Sequence, residues 1–128
     1  MEAKEVQKDV TKPKPVYDLE SRTFIFARDV RVFVTRIPRT VGNLEDGKQV
    51  IRSSGSIGAN YIEATDNLGK KDEVHKIKIS RKEARESKYW LLLVDTGKNS
   101  ALETERERLA QEARELMLIF SAIMRKLT

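Results

Sequence analysis

Apolar residues recur every three to four positions in four separate segments of the chain. This is the period of an α-helix that buries one face. The segments run from about residue 21 to 37, 43 to 65, 71 to 96, and from Ser100 onward. No segment alternates convincingly with period two. Short connections between long helices make consecutive helices antiparallel neighbours. The pattern therefore predicts an all-α protein, an antiparallel up-down-up-down four-helix bundle.

Residues that begin and end helices agree with these segments. Asp18 or Ser21 can cap the first helix, and residues 100–103, Ser-Ala-Leu-Glu, have the pattern of a capping box for the fourth. The three predicted connections are Pro38, residues 66–69 and residues 97–99. The predicted core includes a seam on the third helix, Ile77, Ser80, Ala84, Ser87, Leu91 and Val94, and a stripe on the fourth, Leu102, Leu109, Ala113, Leu116, Phe120, Ile123, Met124 and Leu127.

The first 20 residues lack a helical apolar face. Within them, Lys12-Pro13-Lys14-Pro15 favours an extended, polyproline-like chain. We therefore predict a flexible tail over residues 1–20 and one bundle domain over residues 21–128. The tail holds four lysines and five acids, so the net charge of +5 rises to +6 for the bundle domain. This positive charge favours anionic partners.

Some apolar and small residues lie away from the predicted core face. The apolar residues occur on the first and fourth helices. The small residues occur on the outer side of the second helix, where they would let another helix approach its backbone closely. They are either scattered surface side chains, which are common, or a subunit interface, which their presence on several helices favours. The predicted interface consists of Phe24, Ile25, Val32, Ser56, Ala59, Leu118 and Ala122.

A second predicted surface is basic and is centred on the third helix, opposite its apolar seam. Cations in such a row can neutralise phosphates. The alternative is a solvated face whose charge Glu83 and Glu86 balance. Tyr89 continues the row and could stack on an unpaired base, although its neighbour Trp90 favours a packed ring. The predicted nucleic-acid-binding residues are Lys71, Lys78, Lys82 and Arg85, with Arg28 and Arg31 of the first helix as additions.

The sequence offers little for catalysis or membrane insertion. It has no cysteine and one histidine, His75, which excludes disulfides, thiolate nucleophiles and multi-histidine metal sites and fits a reducing compartment. Residues 42–49 approximate a phosphate-binding loop, but Gln49 stands where that loop needs a hydroxyl. No apolar run approaches the roughly 18 residues of a membrane span. We predict a cytoplasmic protein that is not an enzyme and needs no cofactor, metal or small-molecule substrate.

Two separated segments carry a family resemblance. Residues 49–64, QVIRSSGSIGANYIEA, and residues 82–91, KEARESKYWL, resemble the bacterial four-helix bundle proteins encoded within intervening sequences of 23S ribosomal RNA genes. The resemblance spans about residues 20–127. It implies a small cytoplasmic bundle, commonly a ring-shaped homopentamer, of undetermined molecular activity. It also places Arg52, Asn60, Glu63, Glu83 and Glu86 at the family's polar positions, where they could form a buried network.

A more distant similarity, to the accessory protein of diversity-generating retroelements, implies a basic pentamer that binds nucleic acid and a reverse transcriptase. We therefore favour a non-enzymatic homo-oligomer, with a pentamer preferred, that binds nucleic acid, RNA more than DNA. The alternative is a protein-binding scaffold or assembly module without nucleic-acid binding. Salt dependence separates the two, because binding through phosphates weakens steeply as salt rises.

Overall fold

The computed structural model describes residues 18–66 and 68–128, which form four α-helices. These are α1 (Leu19–Arg36), α2 (Val41–Ala64), α3 (Lys70–Leu93) and α4 (Ser100–Leu127). In this described part, the backbones of α1 and α3 each approach those of both α2 and α4, whereas the backbones of the diagonal pairs do not come close to each other. Helices packed around a shared core in this cyclic order form a bundle. The predicted all-α four-helix bundle is confirmed.

The order of contacts between neighbouring helices reflects their directions. Between α2 and α3, Ser53 bonds to Ser87 at 2.7 Å between the hydroxyl oxygens, and Glu63 pairs with Lys76 at 2.6 Å. Residue numbers therefore rise along α2 as they fall along α3. The ion pairs between α1 and α4 follow the same order. Contacts in this order are those of helices that run in opposite directions.

The first helix begins two residues before the predicted domain boundary. Asp18 is its N-cap and accepts a 2.7 Å hydrogen bond from the backbone N–H of Ser21. Such a bond satisfies one of the free N–H groups of a first helical turn. Leu19 and Glu20 therefore belong to the helix rather than to the tail. The rest of the predicted tail, residues 1–17, lies outside the described residues.

The fourth helix has a different cap from the predicted one. The Asn99 side chain accepts from the backbone N–H of Leu102 at 3.0 Å, so the cap lies one residue before Ser100. Glu103, the predicted partner of Ser100 in the capping box, instead accepts from the Thr96 hydroxyl at 2.8 Å. The predicted capping box is therefore wrong, because asparagine is as good a cap as serine and the Glu103 carboxylate bonds to Thr96 instead.

Buried Asn43 joins the two connections at one end of the bundle. Its amide nitrogen donates to the carbonyls of Pro38 and Asp95, at 2.9 and 2.8 Å, and its amide oxygen accepts from the Asp95 N–H at 2.9 Å. These bonds hold the backbone at Asp95 outside the helix. They explain why α3 ends at Leu93, whereas the sequence pattern predicted about residue 96.

The core follows the predicted stripes closely. All six residues of the predicted α3 seam are buried, and so are Phe120 and most of the α4 stripe. The seam contains two serines, Ser80 and Ser87, whose hydroxyls bond across to α2. Ser80 donates to the carbonyl of Ile57 at 2.8 Å, and Ser87 pairs with Ser53. Their hydrogen bonds offset the cost of removing these hydroxyls from water.

Ion pairs join α1 to α4 at the edge of the core. Arg22 donates to Glu112 at 2.7 and 2.9 Å, and these bonds raise the pKa of Arg22. Arg108 bonds to Glu105 at 2.7 Å within α4 and reaches Asp29 of α1 at 3.1 Å. The Arg108 guanidinium lowers the pKa of the Glu105 carboxyl through that hydrogen bond.

Candidate nucleic-acid interface

The predicted basic residues of α3 form one exposed surface. Lys71, Lys78, Lys82 and Arg85 are all exposed, and helical geometry places them opposite the buried seam of the same helix. We call these four residues the α3 basic stripe. Its two ends, Lys71 and Arg85, are 14 helical steps apart, or about 21 Å at 1.5 Å per residue.

Two acids near the stripe, Glu83 and Glu86 of α3, contact a cation of the neighbouring helix α2. Glu83 is only 4% exposed and lies toward α2, where Arg52 approaches its two carboxylate oxygens at 3.4 and 3.5 Å. Glu86 lies 3.7 Å from the same guanidinium. Both acids are therefore within reach of a cation of α2, and Glu83 also lies 3.8 Å from Lys82 of the stripe. A solvated face with Glu83 and Glu86 nearby stays the alternative to a nucleic-acid-binding surface.

Most of the chain's net charge resides on α3. Residues 70–93 contain eight lysines and arginines against four acids, a net +4, compared with +5 for the whole chain. Lys76 is bound by Glu63, which raises the pKa of Lys76 through a hydrogen bond. Lys82 has a distant partner, Glu83, at 3.8 Å. Within residues 18–66 and 68–128, no carboxylate lies within ion-pair distance of the other three stripe residues.

Tyr89 lies on the same side of α3 as the stripe, one helical turn beyond Arg85. Its side chain is 58% exposed, so the packed ring favoured by the sequence is wrong. Its neighbour Trp90 is the residue that packs against the core, and the two rings meet nearly edge to face at 5.1 Å between centroids. Helical spacing already places Tyr89 in line with the stripe, and the structure shows that Trp90 is the ring packed against the core.

Arg28 and Arg31, the predicted additions, do not join the α3 basic stripe within one chain. They lie on α1, which is diagonal to α3 in the bundle. The Arg28 guanidinium lies 6.0 Å from the centre of the Phe24 ring, and Arg31 donates to the carbonyl of Ala27 at 3.1 Å. Both arginines therefore belong to a second surface between α1 and α2.

That second surface is a groove of about 730 Å³ with a mainly apolar lining. Three of the seven predicted interface residues, Phe24, Ile25 and Ala59, line it together with Arg28 and Arg31. The groove therefore joins part of the predicted interface with part of the predicted basic surface.

The remaining predicted interface residues lie outside this groove. Val32 and Leu118 are exposed on α1 and α4, and Ala122 is half-buried on α4. Ser56 is half-buried and accepts hydrogen bonds from the Asn60 amide at both its hydroxyl and its carbonyl, each at 2.9 Å. The seven residues are thus spread over more than one face of a single chain.

The polar family positions do not form one network. Arg52 binds Glu83 and Glu86, whereas Glu63 binds Lys76 further along the same helix pair. Asn60 bonds within its own helix, to Ser56. Sequence reasoning missed Lys76, which immediately precedes Ile77, the first residue of the α3 seam.

The described residues contain little that resembles catalytic or metal-binding chemistry. No group of three histidine, cysteine or acidic side chains in residues 18–66 and 68–128 could hold a metal ion. Residues 42–49, which approximate a phosphate-binding loop in sequence, lie inside α2. From Leu44 onward their backbone N–H groups make helical hydrogen bonds, and the Asn43 N–H bonds to the Thr40 hydroxyl, so the segment is not an open loop that cradles a phosphate. In the same part of the chain, no helix is both long and apolar enough to cross a bilayer.

Comparisons with known proteins identify relatives of this bundle. A family model described as 23S rRNA-intervening sequence protein matches residues 20–122, a range that contains both segments on which the resemblance rests. A crystal structure of a protein with unknown function from the S23 ribosomal protein family of Bacteroides thetaiotaomicron is also similar. It is 28% identical, with a TM-score of 0.67 over 82% of this chain and 96% of that one. No curated protein matches the chain.

Proposed function

Because the chain belongs to the 23S rRNA-intervening sequence protein family, we propose that it is a non-enzymatic, oligomeric bundle that binds nucleic acid in the cytoplasm, RNA in preference to DNA. The observation that carries the proposal is the α3 basic stripe, whose neighbouring acids are engaged by Arg52. A homo-oligomer, with a pentamer preferred, follows from the family resemblance and from the exposed apolar residues of α1 and α4.

The stripe would bind phosphates and release the counterions that surround them. Each phosphate neutralised on a single strand contributes about −0.7 to the slope of log K against log salt concentration. Four cations per chain therefore correspond to a slope of about −3. One chain binds weakly, whereas an oligomer that repeats the stripe gains affinity by avidity if one strand reaches several copies. Phosphate contacts do not read bases, so we expect little sequence preference from the stripe itself.

A salt titration with charge-reversed variants tests the proposal. Lys78→Glu/Lys82→Glu removes two cations from the middle of the stripe and should reduce the salt slope by at least about 1.4. The matched control is Arg39→Glu/Lys98→Glu, which changes the net charge equally in two exposed connections. The control should keep most of the affinity. If the stripe variant binds RNA as tightly as the parent, with the same slope, the proposal is wrong.

The alternative, a protein-binding scaffold or assembly module, is supported by the groove between α1 and α2. Phe24 is 65% exposed there and contributes apolar surface that a protein partner or another subunit could cover. Binding in that groove would depend on apolar area, so salt would weaken it little. Native mass spectrometry of protein purified with and without nuclease separates the alternatives, because it reports subunit number and bound nucleic acid together.

A further inference from the structure

Beyond the C-terminal end of the α3 basic stripe, the exposed side chains on the same face of the helix are aromatic and apolar instead of charged. Tyr89 follows Arg85 by four residues, which places the two side chains on the same face one turn apart. Leu92 and Leu93 follow on the next turn, and both are exposed. Cations and exposed apolar side chains therefore form a continuous surface along one helix.

The ring of Tyr89 is held in place without being covered. Trp90 packs against the core and meets the Tyr89 ring at an interplanar angle of 75°. Edge-to-face aromatic contacts of this kind are favourable, and they restrict the tyrosine ring. More than half of the Tyr89 side chain nevertheless remains exposed. A restrained, exposed ring beside cations is the arrangement on which unpaired bases stack.

We infer that this surface binds single-stranded in preference to double-stranded RNA, with Tyr89 as the residue that stacks on an unpaired base. The inference rests on the proposed function and specifies its ligand. In a duplex the base faces are already stacked on one another, so only the backbone and groove edges remain for contact. A single strand can place its phosphates on the stripe and a base on the Tyr89 ring at the same time.

Simple electrostatics predicts the opposite preference. A duplex carries about twice the charge of a single strand per unit length, and its slope of log K against log salt per phosphate contact is steeper. A surface that acted only through the α3 basic stripe would therefore bind the duplex more tightly. A preference for the single strand would have to come from contacts with bases.

The experiment compares a labelled single strand of about 12 nucleotides, within the usual site size, with the duplex of the same sequence. Anisotropy titrations are carried out with the full chain and with Tyr89→Ala, Tyr89→Phe and Phe24→Ala. Phe24 is an exposed aromatic residue on another face and is the matched control. The single tryptophan, Trp90, supplies a second readout because its fluorescence reports on the adjacent ring.

We expect the parent to prefer the single strand. Tyr89→Ala should weaken single-strand binding about 5- to 150-fold, the equivalent of one base stacked on an aromatic ring, and change duplex binding less than about 2-fold. Tyr89→Phe, which keeps the ring, should retain the parent's affinity, and so should Phe24→Ala. Single-stranded RNA should quench Trp90 fluorescence in the parent and in Tyr89→Phe.

Three results would overturn the inference. These are duplex binding as tight as single-strand binding, an unchanged affinity of Tyr89→Ala for the single strand, or dissociation of the oligomer by Tyr89→Ala in sedimentation. The last would assign Tyr89 to a subunit contact. If any of these three results is obtained while Lys78→Glu/Lys82→Glu still loses RNA binding, the proposed function stands and only the single-strand inference fails. If the lysine variant loses nothing, the proposed function itself fails.

Discussion

Replacing Gly58 with alanine tests how closely α1 and α2 approach each other. A Cβ at residue 58 would lie 2.8 Å from Oγ1 of Thr23 and 3.2 Å from its Cβ. Thr23 is buried, and its hydroxyl donates to the carbonyl of Leu19 at 2.9 Å. Rotating the threonine away would break this bond and leave a buried hydroxyl unpaired, at a cost of about 1–3 kcal/mol. The added methyl group can therefore be accommodated only by moving the helices apart.

Two opposing terms determine the size of the effect. Alanine is a better helix former than glycine by about 1 kcal/mol, whereas overpacking a buried contact costs about 1–3 kcal/mol. Gly58→Ala should therefore lower the free energy of unfolding by up to about 2 kcal/mol. Gly55→Ala is the matched control on the same helix, because its Cβ would lie 3.5 Å from the end of the flexible Arg31 side chain. That variant should be more stable than the parent by up to about 1 kcal/mol.

Urea unfolding followed by circular dichroism measures both variants, at equal protein concentration because oligomer stability depends on concentration. A double-mutant cycle with Thr23→Ala, which removes Oγ1, should show that Gly58→Ala costs less when the hydroxyl is absent. If Gly58→Ala stabilises the protein as much as Gly55→Ala does, the close approach of α1 and α2 does not constrain residue 58, and the reasoning is refuted.

Three further predictions concern the core, the α4 ion pair and the interface. Phe120→Ala should cost about 3–5 kcal/mol in urea unfolding, since its buried ring packs 6.0 Å from Tyr61; a cost below about 1 kcal/mol would remove Phe120 from the core. Arg108 holds the pKa of Glu105 below its ordinary 4.5, so this pair stabilises the fold above that pH and is lost as pH falls through the lowered pKa. Glu105→Gln should therefore reduce the loss of stability on acidification, by less than about 1 kcal/mol because the Arg108 side chain is 53% exposed to solvent; thermal unfolding at a series of pH values measures this, and an unchanged acid profile would contradict it. Leu118→Glu, at a side chain that is 44% exposed, should dissociate the oligomer in sedimentation without unfolding the bundle; unfolding instead would place Leu118 in the core of the single chain.

Much of the fold could be predicted from the sequence because helix period is a local property. The α3 seam from Ile77 to Val94 is spaced so that its side chains fall on one face of any helix formed there, and all six are buried. Family membership was equally accessible, since residues 49–64 and 82–91 are contiguous segments. The errors at helix ends were small and local: Asn99 rather than Ser100 caps α4, because both residue types bond to free N–H groups.

The properties of the candidate site depended on contacts between helices. The sequence shows that Glu83 and Glu86 lie near the α3 basic stripe, but only the position of α2 brings Arg52 to them. How far the core covers Trp90 and leaves Tyr89 exposed likewise depends on the packed helices.

The positions of side chains around the bundle likewise depended on the tertiary structure. The sequence could not show that Arg28 and Arg31 lie diagonally across the bundle from the stripe, because residue spacing gives no distance between separate helices. The helical period determines which side of its own helix a side chain occupies. The packing of all four helices determines what lies opposite that side, and therefore which charges are neutralised and which rings remain exposed.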